Sequence, residues 1–154
     1  VGVENGKELV LINVHTSAYG GSDEIRDNQI KMIACVMEEE YNKGNYVICG
    51  GDFNHDFTGD SSQKLNGDDV DFGWAQPFPI EFFASGFERC TNYKGNVFLP
   101  TCRNCDIPYV EGNFTIIVDG FITSPNVKCV EVENIYTSFT YSDHCPVKMI
   151  FILQ

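Results

Sequence analysis

The sequence predicts an α/β domain, because a strand, a helix and a second strand follow one another in its first third. Residues 8–14 form a short apolar, β-branched run typical of a buried strand, and residues 46–49 form another. A helical pattern lies between them, which makes a βαβ unit. Three later runs add further predicted strands, at residues 113–123, 127–132 and 146–153.

The predicted helix lies between Ser22 and Gly44. Ser22 follows two glycines and can cap the helix, and the acidic residues after it suit the helix dipole. Gly44 and Asn45 end the pattern. One face is apolar, through Ile30, Ile33, Ala34, Met37 and Tyr41.

Two irregular stretches separate the later strands. Residues 55–76 are rich in Gly, Ser and Asp and show no period, which predicts a long surface loop. Residues 97–112 contain Pro100 and Pro108 and predict a second one. Aromatic residues mark the end of the first stretch and the segment after it, partly in a predicted short helix: Trp74, Phe78, Phe82 and Phe83. Nothing indicates a second domain, so residues 1–154 are expected to form a single one.

Composition and charge limit the classes of function that this chain can have. The net charge of −12 disfavours a protein that coats nucleic acid, since such proteins are basic. Phosphate chemistry is still compatible with this charge if a divalent metal supplies the positive charge. The sequence contains no run of the ~20 apolar residues that a transmembrane helix needs. Cys49, Cys129 and Cys145 lie in or beside apolar runs and are expected to be buried free thiols, which favours a reducing compartment.

Polar residues lie at the ends of three of the predicted strands. The first strand ends in His15-Thr16-Ser17, the second is followed by Asp52 and Asn54, and Asp143 and His144 precede the last one. Ligands of open α/β sheets bind on the loops that leave the strand ends. These side chains are therefore candidates for one functional site.

A calcium-binding EF-hand is the competing interpretation of one of these segments. Asp52, Asn54 and Asp56 match the first three ligands of an EF-hand loop. The loop should have Gly at its sixth position and Glu at its twelfth, where this sequence has Phe57 and Gln63. A strand also precedes the segment, where an EF-hand has a helix, so this interpretation is disfavoured.

Four motifs, taken in order, resemble the later motifs of the endonuclease/exonuclease/phosphatase superfamily. They are His15-Thr16-Ser17, Gly51-Asp52-Phe53-Asn54, Val118-Asp119-Gly120-Phe121-Ile122 and Ser142-Asp143-His144-Cys145-Pro146-Val147. The resemblance implies the C-terminal half of a four-layer α/β/β/α sandwich, with a mixed, largely antiparallel sheet flanked by helices. The family's early motifs, including a metal-binding glutamate, have no counterpart before His15. The half domain should then expose the inner face of its sheet and need a partner, either the missing N-terminal half or another chain.

The same resemblance implies a role for each motif residue in the attack of water on a phosphoester, assisted by Mg²⁺ or Mn²⁺. Asp143 resembles the metal ligand, and Asp52 the carboxylate that orients or deprotonates the water. Asn54 resembles the amide that binds a phosphoryl oxygen. His144 resembles the histidine on the scissile phosphate, with Asp119 as its partner. His15 resembles a second histidine, a candidate general acid.

Two further pairs of residues extend the prediction. Thr101 and Arg103 lie in the loop before the Asp119 strand and are candidate substrate-binding residues, since an arginine can bind phosphate in a bidentate manner. Cys102 and Cys105 form a C-x-x-C pair, and a zinc site through them, with Cys90 as a possible third ligand, is a weaker alternative.

The hypotheses for function are three. The first is a metal-dependent phosphoester hydrolase acting on nucleic acid, a lipid headgroup or a small phosphate ester, and inactive without the N-terminal half. The second is a non-catalytic half domain that binds another chain, and the third is the zinc module. Acidic residues in the 55–76 stretch favour small phosphoesters over long DNA, because they would repel a polyanion.

Overall fold

The computed structural model describes residues 1–3, 5–18, 23–67 and 76–154. The predicted cap Ser22, the two glycines before it and Trp74 lie outside the described residues. The described elements in chain order are β1 (Leu9–His15), α1 (Asp23–Asn42), β2 (Tyr46–Asp52), α2 (Ser61–Asn66), β3 (Glu88–Arg89), β4 (Cys102–Arg103), β5 (Thr115–Ile116), β6 (Asp119–Thr123), β7 (Val127–Asn134) and β8 (Val147–Leu153). Single 3₁₀ turns lie at Ile80–Phe82 and Lys94–Asn96. No described helix is both long and apolar enough to cross a membrane.

The central sheet has the strand order β1-β2-β6-β3 and is mixed. Strands β1 and β2 are parallel, as expected for the βαβ unit, whereas β6 pairs antiparallel with both β2 and β3. The register aligns His15 with Asp52 and Asp52 with Asp119. Residues directly opposite each other point to the same face of a sheet, so these three side chains form one row at one end of it.

One face of the central sheet is covered by the main core. Helix α1 packs Ile30, Ala34 and Met37 against residues of β2 and β6, among them Val47 and Ile122. A ladder of phenylalanines continues this core beyond the sheet, with the rings of Phe53, Phe57, Phe78, Phe83 and Phe87 in successive contact. These apolar contacts hold α1 on the sheet, although α1 is only weakly amphipathic.

The opposite face is only partly covered. The β7–β8 hairpin packs on one end of it, where Met149 and Phe151 contact Ile48 and Phe121. The rest of this face is open, and Leu11 on it is 63% exposed. The structure is thus a mixed α/β fold with several sheets and few helices, which confirms the coarse fold class that the sequence predicts.

Two segment predictions are wrong in part. The 55–76 stretch is not all surface loop, since Asp56 and Phe57 are buried and α2 begins soon after them. The predicted strand over 113–123 is two strands in different sheets, because the chain leaves β5 at Ile116 and enters β6 at Asp119. Ile117 and Val118 between them are fully apolar and buried, so alternation alone does not reveal the break.

Candidate active site at the end of the central sheet

The row formed by His15, Asp52 and Asp119 is completed by His144 from the loop between β7 and β8. Backbone contacts hold this loop against the β4 segment: the Arg103 N–H donates to the Asp143 carbonyl at 3.0 Å, and the Cys145 N–H donates to the Thr101 carbonyl at 2.7 Å. Four predicted site residues therefore meet at one place.

The imidazole of His144 lies between two carboxylates. Its Nδ1 is 2.8 Å from Oδ2 of Asp119, and its Nε2 is 3.7 Å from Oδ2 of Asp52. The hydrogen bond to Asp119 is the main cause that raises the pKa of His144 to about 11. The ring is thus a cation at neutral pH and can stabilise an anion beside it.

Asp52 lies between the two histidines. Its Oδ2 is 3.5 Å from Nε2 of His15, and its Oδ1 accepts a hydrogen bond of 2.8 Å from the Asn54 N–H. Burial raises the pKa of Asp52, and the nearby Asp119 carboxylate adds to that rise. A carboxylate of raised pKa is a better proton acceptor than a free one.

Asn54 is held in a constrained conformation directly after β2. Its φ is +45°, which is uncommon for a residue with a side chain, and its amide is buried. Nδ2 donates to the Thr16 carbonyl at 2.8 Å, so one of its two N–H groups ties the loop after β1 to the loop after β2. Both loops that carry site residues are therefore joined through this side chain.

Thr101, a predicted substrate-binding residue, is fully buried and has a clear role within the fold. Its Oγ1 accepts hydrogen bonds from the backbone N–H groups of Val118 and Asp119, at 3.0 and 3.1 Å. Thr101 thus fixes the start of β6, and through its carbonyl bond to Cys145 it also holds the loop that carries His144.

Arg103 lines the site cavity, as a substrate-binding residue would, but part of its guanidinium is committed elsewhere. Its Nη1 donates to the carbonyls of Asn104 and Ile107, at 2.7 and 3.0 Å, and the group lies over the ring of Tyr109. Arg103 therefore also shapes the loop that follows β4.

The predicted site residues surround a cavity of about 400 Å³. Its walls include His15, Asp52, Asn54, Arg103, Asp143 and His144. A second cleft, of about 650 Å³, starts at Asp119 and His144 and runs along the open sheet face to Leu11 and Ile48. The site is thus continuous with the uncovered part of the sheet.

The donors in this cavity suit a hard divalent cation. Among the described residues, one group of three possible ligands lies together: Asp52, Asp119 and His144, whose donor atoms are within 4.8 Å of one another. Asp143, the predicted metal ligand, faces the same cavity but is not part of that group. Carboxylate oxygens are the ligands that Mg²⁺ and Mn²⁺ prefer, so the carboxylates of this cavity fit such an ion, whereas the protonated His144 has no lone pair to offer it.

Sequence reasoning missed a contact between Cys102 and His144. The two residues face each other in an isolated antiparallel bridge, and burial raises the pKa of the Cys102 thiol. The C-x-x-C spacing drew attention to Cys102 for zinc, and no pattern in the sequence signals its contact with a histidine 42 positions later. Cys105 is exposed, and neither cysteine belongs to the group of three ligands found in the described part.

Comparison with known proteins identifies the fold of the chain. No protein-family model matches the sequence, and no curated protein does. Solved structures match it at low identity. An endonuclease/exonuclease/phosphatase family protein from Bacteroides thetaiotaomicron has a TM-score of 0.56 at 18% identity, over 98% of this chain and 52% of that one. A mannosyl-6-phosphatase from the same organism has a TM-score of 0.57 at 19% identity, over 97% and 53%. Truncated TDP2 from Caenorhabditis elegans has a TM-score of 0.54 at 18% identity, over 94% and 54%.

The chain therefore spans about half the length of the solved structures it matches. Its fold is that of half an endonuclease/exonuclease/phosphatase protein, and the resemblance predicted from the four motifs is confirmed at the level of the fold.

Proposed function

We propose that this chain, which has the fold of half an endonuclease/exonuclease/phosphatase protein, carries most of the active site of a divalent-metal-dependent phosphoester hydrolase. One observation carries the proposal. A protonated histidine, two carboxylates and a second histidine stand in one row at the end of a sheet, in the wall of a cavity that Asn54 and Asp143 also line. Such a row offers a base, a cation and an acid within reach of one phosphorus.

The roles follow from the surroundings of each group. Asp52 has a raised pKa and orients the water and accepts its proton. The His144 imidazolium lies beside the phosphoryl oxygens and stabilises their growing charge, while Asp119 holds the ring in place. His15, whose imidazole is well exposed at the cavity rim, donates a proton to the leaving oxygen.

Asp143, which faces the cavity, would hold Mg²⁺ or Mn²⁺. When bound, such an ion supplies positive charge next to the phosphate and polarises its P–O bonds. Asp143 stands apart from the Asp52, Asp119 and His144 group, so it needs additional ligands from water, substrate or another segment.

We propose that a further α/β segment completes the fold and the site. The matched structures are nearly twice as long as this chain, and the open sheet face leaves Leu11 exposed beside the cleft. The segment is either a second half of the same protein or another chain. The same open face favours a second candidate function, a half domain that binds a partner and performs no chemistry.

A small phosphate ester suits the cavity better than a long polyanion. Its volume of about 400 Å³ matches a small ligand, and Asp106 in its wall would repel the flanking phosphates of a nucleic acid. One of the structural matches is a phosphatase of a mannosyl 6-phosphate substrate, which is such an ester.

The test compares the hydrolysis of an aryl phosphomonoester and an aryl phosphodiester with Mg²⁺, with Mn²⁺ and with a chelator. It uses the protein with its whole encoded sequence and the 154-residue chain alone. Asp143→Ala is the inactive variant and Asp60→Asn, on the surface near α2, is the matched control. The proposal requires metal-dependent turnover by the whole protein that is lost in Asp143→Ala and kept in Asp60→Asn. If neither sample turns over either ester, the binding function replaces it.

A further inference from the structure

A pair of cysteines lies away from the site, between the central sheet and the β7–β8 hairpin. Cys90 directly follows β3 and is almost fully buried, and Cys129 lies on β7 and is half-buried. The proposed hydrolysis does not involve either residue, so a role for this pair is independent of that function.

The position of Cys90 is fixed by its hydrogen bonds to β6. Its N–H donates to the Phe121 carbonyl at 2.8 Å, and its thiol lies 4.0 Å from the Thr123 hydroxyl. Phe121 belongs to the apolar cluster beneath the hairpin. The Cys90 side chain therefore points toward the hairpin and not toward α1.

Cys129 points back toward the central sheet. It stands directly opposite Phe151 on β8, and side chains opposite each other on antiparallel strands share a face. Phe151 packs in the same cluster as Phe121. The thiol of Cys129 is thus on the inner face of the hairpin.

The backbone register brings these two side chains together. Tyr93 forms a parallel bridge with Val132, supported by a hydrogen bond of 2.9 Å from the Val132 N–H to the Asn92 carbonyl. Cys90 and Cys129 each lie three residues before a member of that bridge. Before that bridge, the Asn92 side-chain amide donates to the Val130 carbonyl, so this segment stays beside β7 as far as the β-bulge between Cys129 and Glu131. A disulfide spans Cα atoms about 4.4–6.8 Å apart, a distance that neighbouring backbone segments meet.

We propose that Cys90 and Cys129 form a reversible dithiol–disulfide pair that cross-links the β7–β8 hairpin to the central sheet. The two thiols differ in pKa and in exposure, so Cys129 is the one that reacts first. The neighbouring Cys90 thiol lowers the pKa of Cys129, whereas the contact with Cys129, together with burial, raises the pKa of Cys90. Cys129 is also the more accessible of the two.

Oxidised glutathione, a low-molecular-weight disulfide, is the oxidant. The Cys129 thiolate attacks one glutathione sulfur, which forms a mixed disulfide and releases a glutathione thiolate. That thiolate takes the proton of Cys90, and the Cys90 sulfur then attacks the Cys129 sulfur and releases the second glutathione. Two cysteine thiols are oxidised and one glutathione disulfide is reduced to two thiols.

The experiment equilibrates the whole protein with glutathione at a series of redox ratios, alkylates the remaining thiols and maps the peptides by mass spectrometry. The expected product is a cross-linked peptide pair containing Cys90 and Cys129, reversed by dithiothreitol. In Cys90→Ser, Cys129 should stop at the mixed disulfide with glutathione, and in Cys129→Ser, Cys90 should stay reduced. Cys35→Ser, at an exposed thiol on α1, is the control and should cross-link like the wild type.

A second measurement does not depend on the variants. Oxidation should raise Tm of the wild type by roughly 5–15 °C, because a disulfide restricts the unfolded chain. A wild type that forms only mixed disulfides, or only cross-links between two molecules, would overturn the proposal even if every variant failed to fold.

Discussion

Nδ1 of His144 and Oδ2 of Asp119 are 2.8 Å apart, and this hydrogen bond makes His144 a cation at neutral pH. Asp119→Asn should therefore lower the pKa of His144 from about 11 toward its ordinary value of 6.5. The measurement is an NMR titration of the His144 ring, with Asp60→Asn as the control. An unchanged titration in Asp119→Asn would mean that another group holds the charge.

The same pair makes stability depend on pH. The pKa of His144 is raised in the folded state, so its contribution is complete below the unfolded value of 6.5 and is lost as pH rises toward about 11. The free energy of unfolding of the wild type should therefore fall across this range, relative to Asp119→Asn. Urea titrations at pH values inside and below the window test this. Parallel curves for the two proteins would contradict it.

Thr101 should matter through its hydroxyl and not through its volume. Thr101→Val keeps the shape but leaves the buried N–H groups of Val118 and Asp119 without their acceptor, which should cost about 2–4 kcal/mol of stability. Thr101→Ser keeps the acceptor and should cost about 1 kcal/mol. If Thr101 positions Asp119, the valine variant should also lower the pKa of His144, and the serine variant should restore it. Equal His144 titrations in both variants would reduce Thr101 to a packing residue.

Much of this site was predictable because its residues sit at strand ends. The βαβ unit requires β1 and β2 to be parallel, so His15 and Asp52 had to leave the sheet at the same edge. No local pattern predicts that β6 pairs antiparallel with β2 and so places Asp119 opposite Asp52. No local pattern predicts that the loop before β8 brings His144 to the same place. Both placements were predicted from the order of the four motifs, which resemble those of a known family, and the structure brings the same residues together.

The roles of Thr101 and Asp56 in the fold depend on tertiary contacts that the sequence does not reveal. Thr101 resembles any polar loop residue, and only the fold shows that its hydroxyl replaces a backbone acceptor between β5 and β6. Asp56 lies in a stretch of turn-forming residues, yet it is buried because its carboxylate organises the start of α2. The sequence shows that such residues are polar, but it does not show which backbone N–H groups surround them in the fold.

Asp56 should be essential for stability and dispensable for any metal. Its carboxylate accepts hydrogen bonds from the backbone N–H groups of Gly59, Ser61 and Ser62, at 2.9, 3.1 and 2.9 Å. Burial alone would raise the pKa of Asp56, but these bonds outweigh it and lower that pKa. Asp56→Asn should cost about 2–4 kcal/mol, because its amide N–H₂ would face other donors. Urea unfolding at neutral pH measures this.

The pH dependence of the stability loss in Asp56→Asn distinguishes the contribution of the carboxylate charge from that of packing. A carboxylate of lowered pKa stabilises the fold above its unfolded value of 3.8, and the contribution is lost as pH falls through the lower folded value. The difference in the free energy of unfolding between the wild type and Asp56→Asn should thus become smaller at acidic pH. Asp60→Asn, whose carboxylate pairs with exposed Lys64, should change stability by less than about 1 kcal/mol. A calcium-dependent rise in Tm that Asp56→Asn abolished would instead revive the EF-hand interpretation.

Gly51 keeps β1 and β2 close enough for His15 and Asp52 to face each other. Its φ is +145°, and a Cβ there would stand 2.0 Å from the Val14 carbonyl oxygen, so the strands would have to separate. Gly51→Ala should cost more than about 3 kcal/mol and reduce any hydrolysis at least tenfold, since a small shift of catalytic groups has a large effect on rate. Gly44→Ala is the matched control, because Gly44 also has a positive φ, +89°, but has no atom within 4 Å of the added Cβ. It should cost about 1–2 kcal/mol and leave kcat/KM unchanged. Equal losses of stability in the two variants would assign the effect to backbone conformation alone and remove the case for a close approach at the site.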